Sequence, residues 1–249
     1  MEGNPLLTAL NIQPSDRIIS VHENGLSDTN FIITNLMKKI FSDNGKICLV
    51  IVHHTLGHYH NVLKRLGQDF MEKFRNGFAT TIEPLKDIAT NTNSNFLSSD
   101  KEWIVKSLFL AISDKINKLL DGYDDGQVYL IIDDLSHLTD LGVDIKFISA
   151  FINYCINLAQ NERISLVINC HIADSNDNII SNCLRYVSNL VIDVSPLKTG
   201  ISHEVTGVIA ITRPHSTELL LRNSTLHYKA YDREIKTFAP GESIYHLYK

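Results

Sequence analysis

Two adjacent carboxylates close an apolar run, Tyr129-Leu-Ile-Ile-Asp133-Asp134, and acids in that position can take part in phosphate chemistry. In α/β domains that hydrolyse phosphoanhydrides, a carboxylate at the carboxyl end of a strand holds Mg²⁺ or positions the attacking water, because strand ends converge on the ligand crevice. The competing reading is structural, with each Asp capping the turn that follows the strand.

A phosphate site also needs a cradle, and the turn that should supply it reads Glu23-Asn24-Gly25-Leu-Ser-Asp28-Thr-Asn30. A working cradle has the form GxxxxGK[ST]: glycines let backbone N–H groups point inward, and a lysine neutralises the β and γ phosphates. Here Gly25 is the only glycine and no lysine is present. Glu23 and Asp28 would repel a phosphate, each charge pair costing about 4 kcal/mol at roughly 4 Å near a protein surface. Tight ATP binding by the chain alone is not expected. The rival reading is an ATP hydrolase with an unorthodox loop, using Asp133 and Asp134 for metal and water.

His53, His54, His58 and His60 place four imidazoles within eight residues, and His54 and His58 are four apart. Imidazoles suit Zn²⁺ or Ni²⁺, but metal sites usually draw ligands from separate elements and support them with carboxylates, and none stands nearby in the sequence. No metal ligand set and no cofactor are therefore expected. Cys170-His171 is not a nucleophile and base pair, because neighbours on a strand face opposite sides, and no GxSxG elbow occurs. Basic residues such as Lys38, Lys39, Lys64 and Arg65 are scattered and read as a solvated face.

The elements that must position these residues alternate strand and helix. Residues 17–22 form a first strand and residues 31–41 a helix capped by Asp28 or Thr29 and ended by Asn44-Gly45. Residues 46–52 are apolar on both faces, as a buried parallel strand requires. A short helix over 57–66 precedes a partly looped stretch, 67–95. Apolar residues at helical spacing from Trp103 to Leu119 define a long helix opened by Ser98, Ser99 and Asp100. Strands at 128–132, 164–169 and 190–194 follow, with helices at about 143–160 and ending near 187 and a polar loop over 171–178 between them. Beyond Pro196, runs at 204–212, 218–222, 226–231 and 234–238 read as antiparallel hairpins. The expected fold is α/β, with a mostly parallel sheet flanked by helices over residues 1–195 and C-terminal antiparallel strands over 196–249, in one domain.

Composition narrows the function. The formal charge of −5 disfavours a free-standing nucleic-acid binder, whose main electrostatic attraction would be repulsive over most of this surface. The four cysteines, Cys48, Cys155, Cys170 and Cys183, stand singly in apolar surroundings and read as reduced and buried. No apolar run approaches the roughly 20 residues that cross a bilayer, and the first residues lack a secretion signal, so an intracellular protein without membrane association is expected.

Several segments together resemble the Elongator complex protein 6 family of RecA-like subunits: Gly57-His-Tyr with Leu66-Gly67, Leu130-Ile-Ile-Asp-Asp-Leu-Ser136 with Leu141-Gly142, Phe151-Ile-Asn-Tyr-Cys155, Lys198-Thr-Gly200, Val205-Thr-Gly207 and Tyr228-Lys229. They run in order over nearly the whole chain. The resemblance implies a RecA-like domain in which the first strand feeds a degenerate phosphate loop (Glu23, Asn24, Gly25, Asp28) and Asp133 and Asp134 end a Walker B-like strand. It implies a heterohexameric ring with Elongator proteins 4 and 5, two copies of each, that works with the remaining Elongator subunits. Such a ring binds tRNA, has ring-level ATPase activity and supports modification of the wobble uridine, U34; the chemistry on the base belongs to another subunit. The expected location is the cytoplasm, with the nucleus as a second compartment. Residues 172–178 fall where RecA proteins carry a pore-facing nucleic-acid loop, yet contain two acids and no base. Arg213 and Arg222 are candidates to reach a neighbour's nucleotide, since a trans arginine stabilises developing phosphate charge.

Overall fold

The strand Lys46–Val50 (β2) is buried at every position, and its side chains divide by parity between two cores. Cys48 and Val50 face one layer of helices while Ile47 and Leu49 face the other, the period of two that places a strand inside a sheet covered on both faces. The computed structural model describes residues 4–91, 94–121, 126–200, 202–217, 223–231 and 234–242.

Around β2 lie Ile18–Asn24 (β1), Ala79–Ile82 (β3), Val128–Ile132 (β4), Ile164–Ile172 (β5), Leu190–Ser195 (β6), Gly207–Thr212 (β7), Asn223–Ala230 (β8) and Ile235–Phe238 (β9). They form a nine-stranded sheet of order β3-β2-β4-β5-β1-β6-β7-β8-β9. Pairing is parallel from β3 to β6 and antiparallel from β6 to β9. The helices Pro5–Leu10 (α1), Asn30–Ser42 (α2), Leu56–Arg65 (α3) and Phe70–Arg75 (α4) bury apolar residues in one core. Lys101–Leu120 (α6), Ile145–Leu158 (α7) and Ser175–Val187 (α8) cover the other face. Pro84–Thr90 (α5) lies between β3 and α6 in the chain. In α6, Leu108, Ile112 and Ile116 are buried at spacings of four, and Asp100 caps the helix by accepting from Glu102 N and Trp103 N.

The structure adds to the sequence reading in four places. Ahead of the first expected strand lies α1, started by Asn4, whose side chain accepts from Leu6 N and Leu7 N; Leu6 and Leu10 are wholly buried. The stretch 67–95 holds α4, the edge strand β3 and α5, short elements whose apolar residues are too few to show a period. The polar loop 171–178 shrinks to Ala173 and Asp174, because β5 runs to Ile172 and Asp174 and Asp177 build a capping box for α8. The expected strand over 226–231 starts earlier, at Asn223, since Asn223 pairs with Thr212 and Ser224 with Ile211. The run 218–222, with Arg222, lies outside the described residues. Of the four free cysteines, Cys48, Cys155 and Cys170 are buried and Cys183 is half-buried.

Candidate functional site

Sheet order brings the carboxyl ends of β2, β4, β5 and β1 to one edge of the molecule. In such sheets that edge carries the ligand crevice. Of the sequence-predicted phosphate residues that are described, all but Arg213 lie there.

Asp133 is 1% exposed, and its carboxylate is committed to the backbone of the turn after β2. Oδ1 accepts from Val52 N (2.7 Å) and His53 N (3.1 Å), and Oδ2 accepts from His54 N (3.0 Å) and the Tyr59 hydroxyl (3.2 Å). Burial pushes its pKa up, but His54 and these backbone donors outweigh burial and hold it below the ordinary value. The Asp133 charge in turn raises His54 against the downward effect of its burial, with His54 Nδ1 3.6 Å from Oδ2, within ion-pair reach but too long for a hydrogen bond. Tyr59, buried beside this charge, is raised well above its ordinary value by burial first and by Asp133 second.

Asp134 is 4% exposed and more open in its bonding. Oδ1 accepts from Ser136 N (3.0 Å), Ser136 Oγ (2.6 Å) and His171 N (3.2 Å). Oδ2 faces His137 Nε2 at 3.5 Å. Burial raises its pKa despite these partners.

The turn after β1 is closed by its own acid. Glu23 Oε2 accepts from Thr29 N (2.9 Å) and Thr29 Oγ1 (2.9 Å), which sets a carboxylate on the amino end of α2, and Oε1 lies 2.8 Å from His171 Nδ1. A helix amino end attracts anions, and here the anion comes from the chain itself. Thr29 occupies the cap position without a side-chain cap bond, while Asp28 accepts from Asn30 N at 2.7 Å. Asn24 Nδ2 donates to Val194 O at 3.2 Å, Gly25 supplies the positive φ of 64°, and Leu26 at the tip is fully exposed.

Three of the four histidines after β2 pack together, with ring centroids 4.4 Å apart from His53 to His54 and from His54 to His58, but among the described residues the four do not form a ligand set of their own. His58 Nε2 contacts Asn30 Nδ2, and His60 Nδ1 lies 3.9 Å from Asp69. His53 instead meets two residues from beyond β4: its Nδ1 contacts His137 Nε2, and His53, Asp134 and His137 each offer an atom within 4.8 Å of the other two. The carboxylate beside His53 comes from the turn after β4, far from the histidines in the sequence. His137 is a site residue that its lone position in the sequence did not single out; Asp134 three residues before it is the only local signal. Beside His53 and His54 opens a cavity of about 640 Å³, walled by Leu56, Met71 and Leu85 with Glu83 and Lys86.

Arg213 lies elsewhere. It is 6% exposed, donates Nη2 to Asp16 Oδ2 (2.8 Å) and to Asn11 O (2.8 Å), and is enclosed by its own chain rather than presented to a neighbour.

A family model described as Elongation complex protein 6 matches residues 2–232. The chain belongs to the Elongation complex protein 6 family. Its relatives named Elongator complex protein 6 include those of rat, 26% identical over 234 residues covering 87% of this chain and 88% of the relative. The zebrafish protein is 25% identical with 97% of each chain covered, and the Drosophila melanogaster protein is 26% identical with 95% and 96% covered. The fold is RecA-like, as in a KaiC-like protein of Pyrococcus horikoshii (TM-score 0.58, 9% identity, 90% of each chain). An uncharacterized protein of the same archaeon is similar too (TM-score 0.61, 11% identity, 91% of this chain and 93% of the other). As in the family reading, the sheet is mostly parallel with antiparallel strands at the carboxyl end. No described helix is long and apolar enough to cross a membrane.

Proposed function

We propose that this chain is a non-catalytic subunit of the Elongator complex, with a degenerate Walker A loop, that joins Elongator proteins 4 and 5 in a heterohexameric RecA-like ring. In this reading the ring acts in the cytoplasm, and also the nucleus, with the remaining Elongator subunits. It binds tRNA through surfaces shared among its subunits and supports modification of wobble uridine U34. Any ATPase activity is a property of the assembled ring.

The observation that carries the non-catalytic reading is the Glu23 carboxylate on Thr29 N at the start of α2. A phosphate entering this turn must displace that carboxylate and meets no lysine there. The second support is Asp133, whose two oxygens accept four hydrogen bonds from within the fold and so leave it poorly placed to hold Mg²⁺. Family membership supports the choice of partners, and the charge of −5 favours tRNA contact through a composite surface over one made by this chain alone.

Titrating the isolated chain with a fluorescent ATP analogue and Mg²⁺ tests the first half of the proposal: no saturable binding is expected, and micromolar binding would favour the hydrolase reading. Co-expression with Elongator proteins 4 and 5 tests the second half. A stable three-component assembly is expected, and elution of this chain alone would overturn the ring assignment.

A further inference from the structure

We propose that His53, Asp134 and His137 form a site for a divalent transition-metal ion of the zinc class, distinct from any Mg²⁺ carried by a nucleotide. The three come from two separate elements, the turn after β2 and the turn after β4, and their candidate ligand atoms all lie within 4.8 Å. An ion with Zn–N bonds of about 2.0–2.1 Å holds its ligand atoms roughly 3.3 Å apart, so the two histidine nitrogens, which touch here, would open around it while the Asp134 oxygen, 3.5 Å from His137 Nε2, is already at about that spacing.

The bonding around His137 argues for a cation at its centre. His137 Nδ1 faces the Asp140 carboxylate at 2.6 Å, and that carboxylate accepts, so Nδ1 carries a proton and Nε2 is the atom that His137 can offer a metal. Nε2 touches His53 Nδ1 and lies 3.5 Å from Asp134 Oδ2. A metal ion at this point takes His137 Nε2, Asp134 Oδ2 and His53 as its three ligands. Asp140 on His137 is the carboxylate partner that orients a ligating imidazole and raises its basicity. Asp134 is prepared in the same way: Ser136 and His171 hold Oδ1, which leaves Oδ2 turned toward the histidines.

Two imidazoles and one carboxylate suit Zn²⁺, Co²⁺ or Ni²⁺ better than Mg²⁺, which prefers oxygen donors and water. His53 is exposed and His137 half-buried, so the ion enters from solvent and a fourth position stays open to water or a partner's side chain. The ion would pin the turn after β2 to the turn after β4.

The test uses the full chain, stripped with chelator and desalted, then titrated with Co²⁺ followed by visible absorption and with Zn²⁺ by calorimetry. One equivalent per chain is expected, with Zn²⁺ displacing Co²⁺ and raising Tm. His53→Gln and His137→Gln should each abolish stoichiometric binding and the Tm rise, and Asp140→Asn should weaken binding about 10- to 100-fold. His60→Gln should leave binding unchanged. Circular dichroism checks that each variant is folded, which is expected because His53 and His137 lie at the surface. Absence of stoichiometric binding in the unsubstituted chain, or an unchanged affinity in folded His137→Gln, would overturn the site. Neither result bears on the ATP titration or the ring assembly.

Discussion

At the scale of the residue, burial decides what a polar group can do. His22 is fully buried on β1, with Ser20 Oγ 2.9 Å from Nε2 and Ser181 Oγ 3.0 Å from Nδ1. Burial first and the Arg185 charge second lower its pKa from 6.5 to about 3, with Asp193 opposing them in part. The folded pKa lies below the unfolded one, so the unfolded chain binds a proton that the native state refuses. The stability contributed by neutral His22 is therefore complete above pH 6.5 and is lost as pH falls from 6.5 toward 3. Urea unfolding at a series of pH values should show His22→Gln losing this dependence: its stability relative to the unsubstituted chain should improve by about 1.4 kcal/mol per pH unit below 6.5. A difference that does not change with pH would mean that His22 takes up its proton over the same pH range in the native state as in the unfolded chain. Asp133 follows the same logic, since a carboxylate that reads as a metal ligand from its place in the sequence is held by the donors that surround it.

At the scale of the element, two pairs among the short segments that carried the resemblance touch. Tyr59 of Gly57-His-Tyr donates to Asp133 of the β4 motif. Gly207 lies against Tyr228: a Cβ there would sit 2.8 Å from Tyr228 Cε1 and 2.6 Å from Ser195 O, inside contact distance of a backbone atom that cannot easily move. Tyr228 also packs on Phe31 at the start of α2, with ring centroids 4.9 Å apart. The β6–β7–β8 pairing thus depends on a missing side chain. Gly207→Ala is expected to destabilise the fold by about 1–3 kcal/mol, read as a lower urea midpoint with an unchanged slope. An unchanged midpoint would show that β6 and β8 can move apart without cost.

At the scale of the whole molecule, the antiparallel strands are tied to the opposite end of the chain. Arg213, just after β7, pairs with Asp16, which precedes β1 and lies 197 residues away; both are about nine-tenths buried or more. Removing one partner of a buried pair strands the other charge, so Arg213→Ala is expected to cost about 3–5 kcal/mol. Replacing Asp16 with Asn in the same chain should recover part of that loss, and full additivity of the two changes would show that they do not act as a pair. This pair also bears on function, because a guanidinium held in this way serves the fold of its own subunit.

Much of this architecture could be read from the residues, and what could not shares one physical cause. Apolar runs on both faces marked β2, β4 and β5 as inner strands, and the acids and missing lysine of the turn after β1 were visible as composition. Helical spacing marked α6, whereas α1, α4, α5 and β3 are too short for a period to emerge. What only the tertiary structure decided are encounters across the sheet. Glu23 of β1 meets His171 of β5, Asp133 receives N–H groups from residues 79 to 81 positions away, and His53 meets His137 and Asp134. Local periodicity sets which strands exist, but the parallel crossovers that make β2 and β4 neighbours set which strand ends meet, and the chemistry at this edge belongs to those meetings.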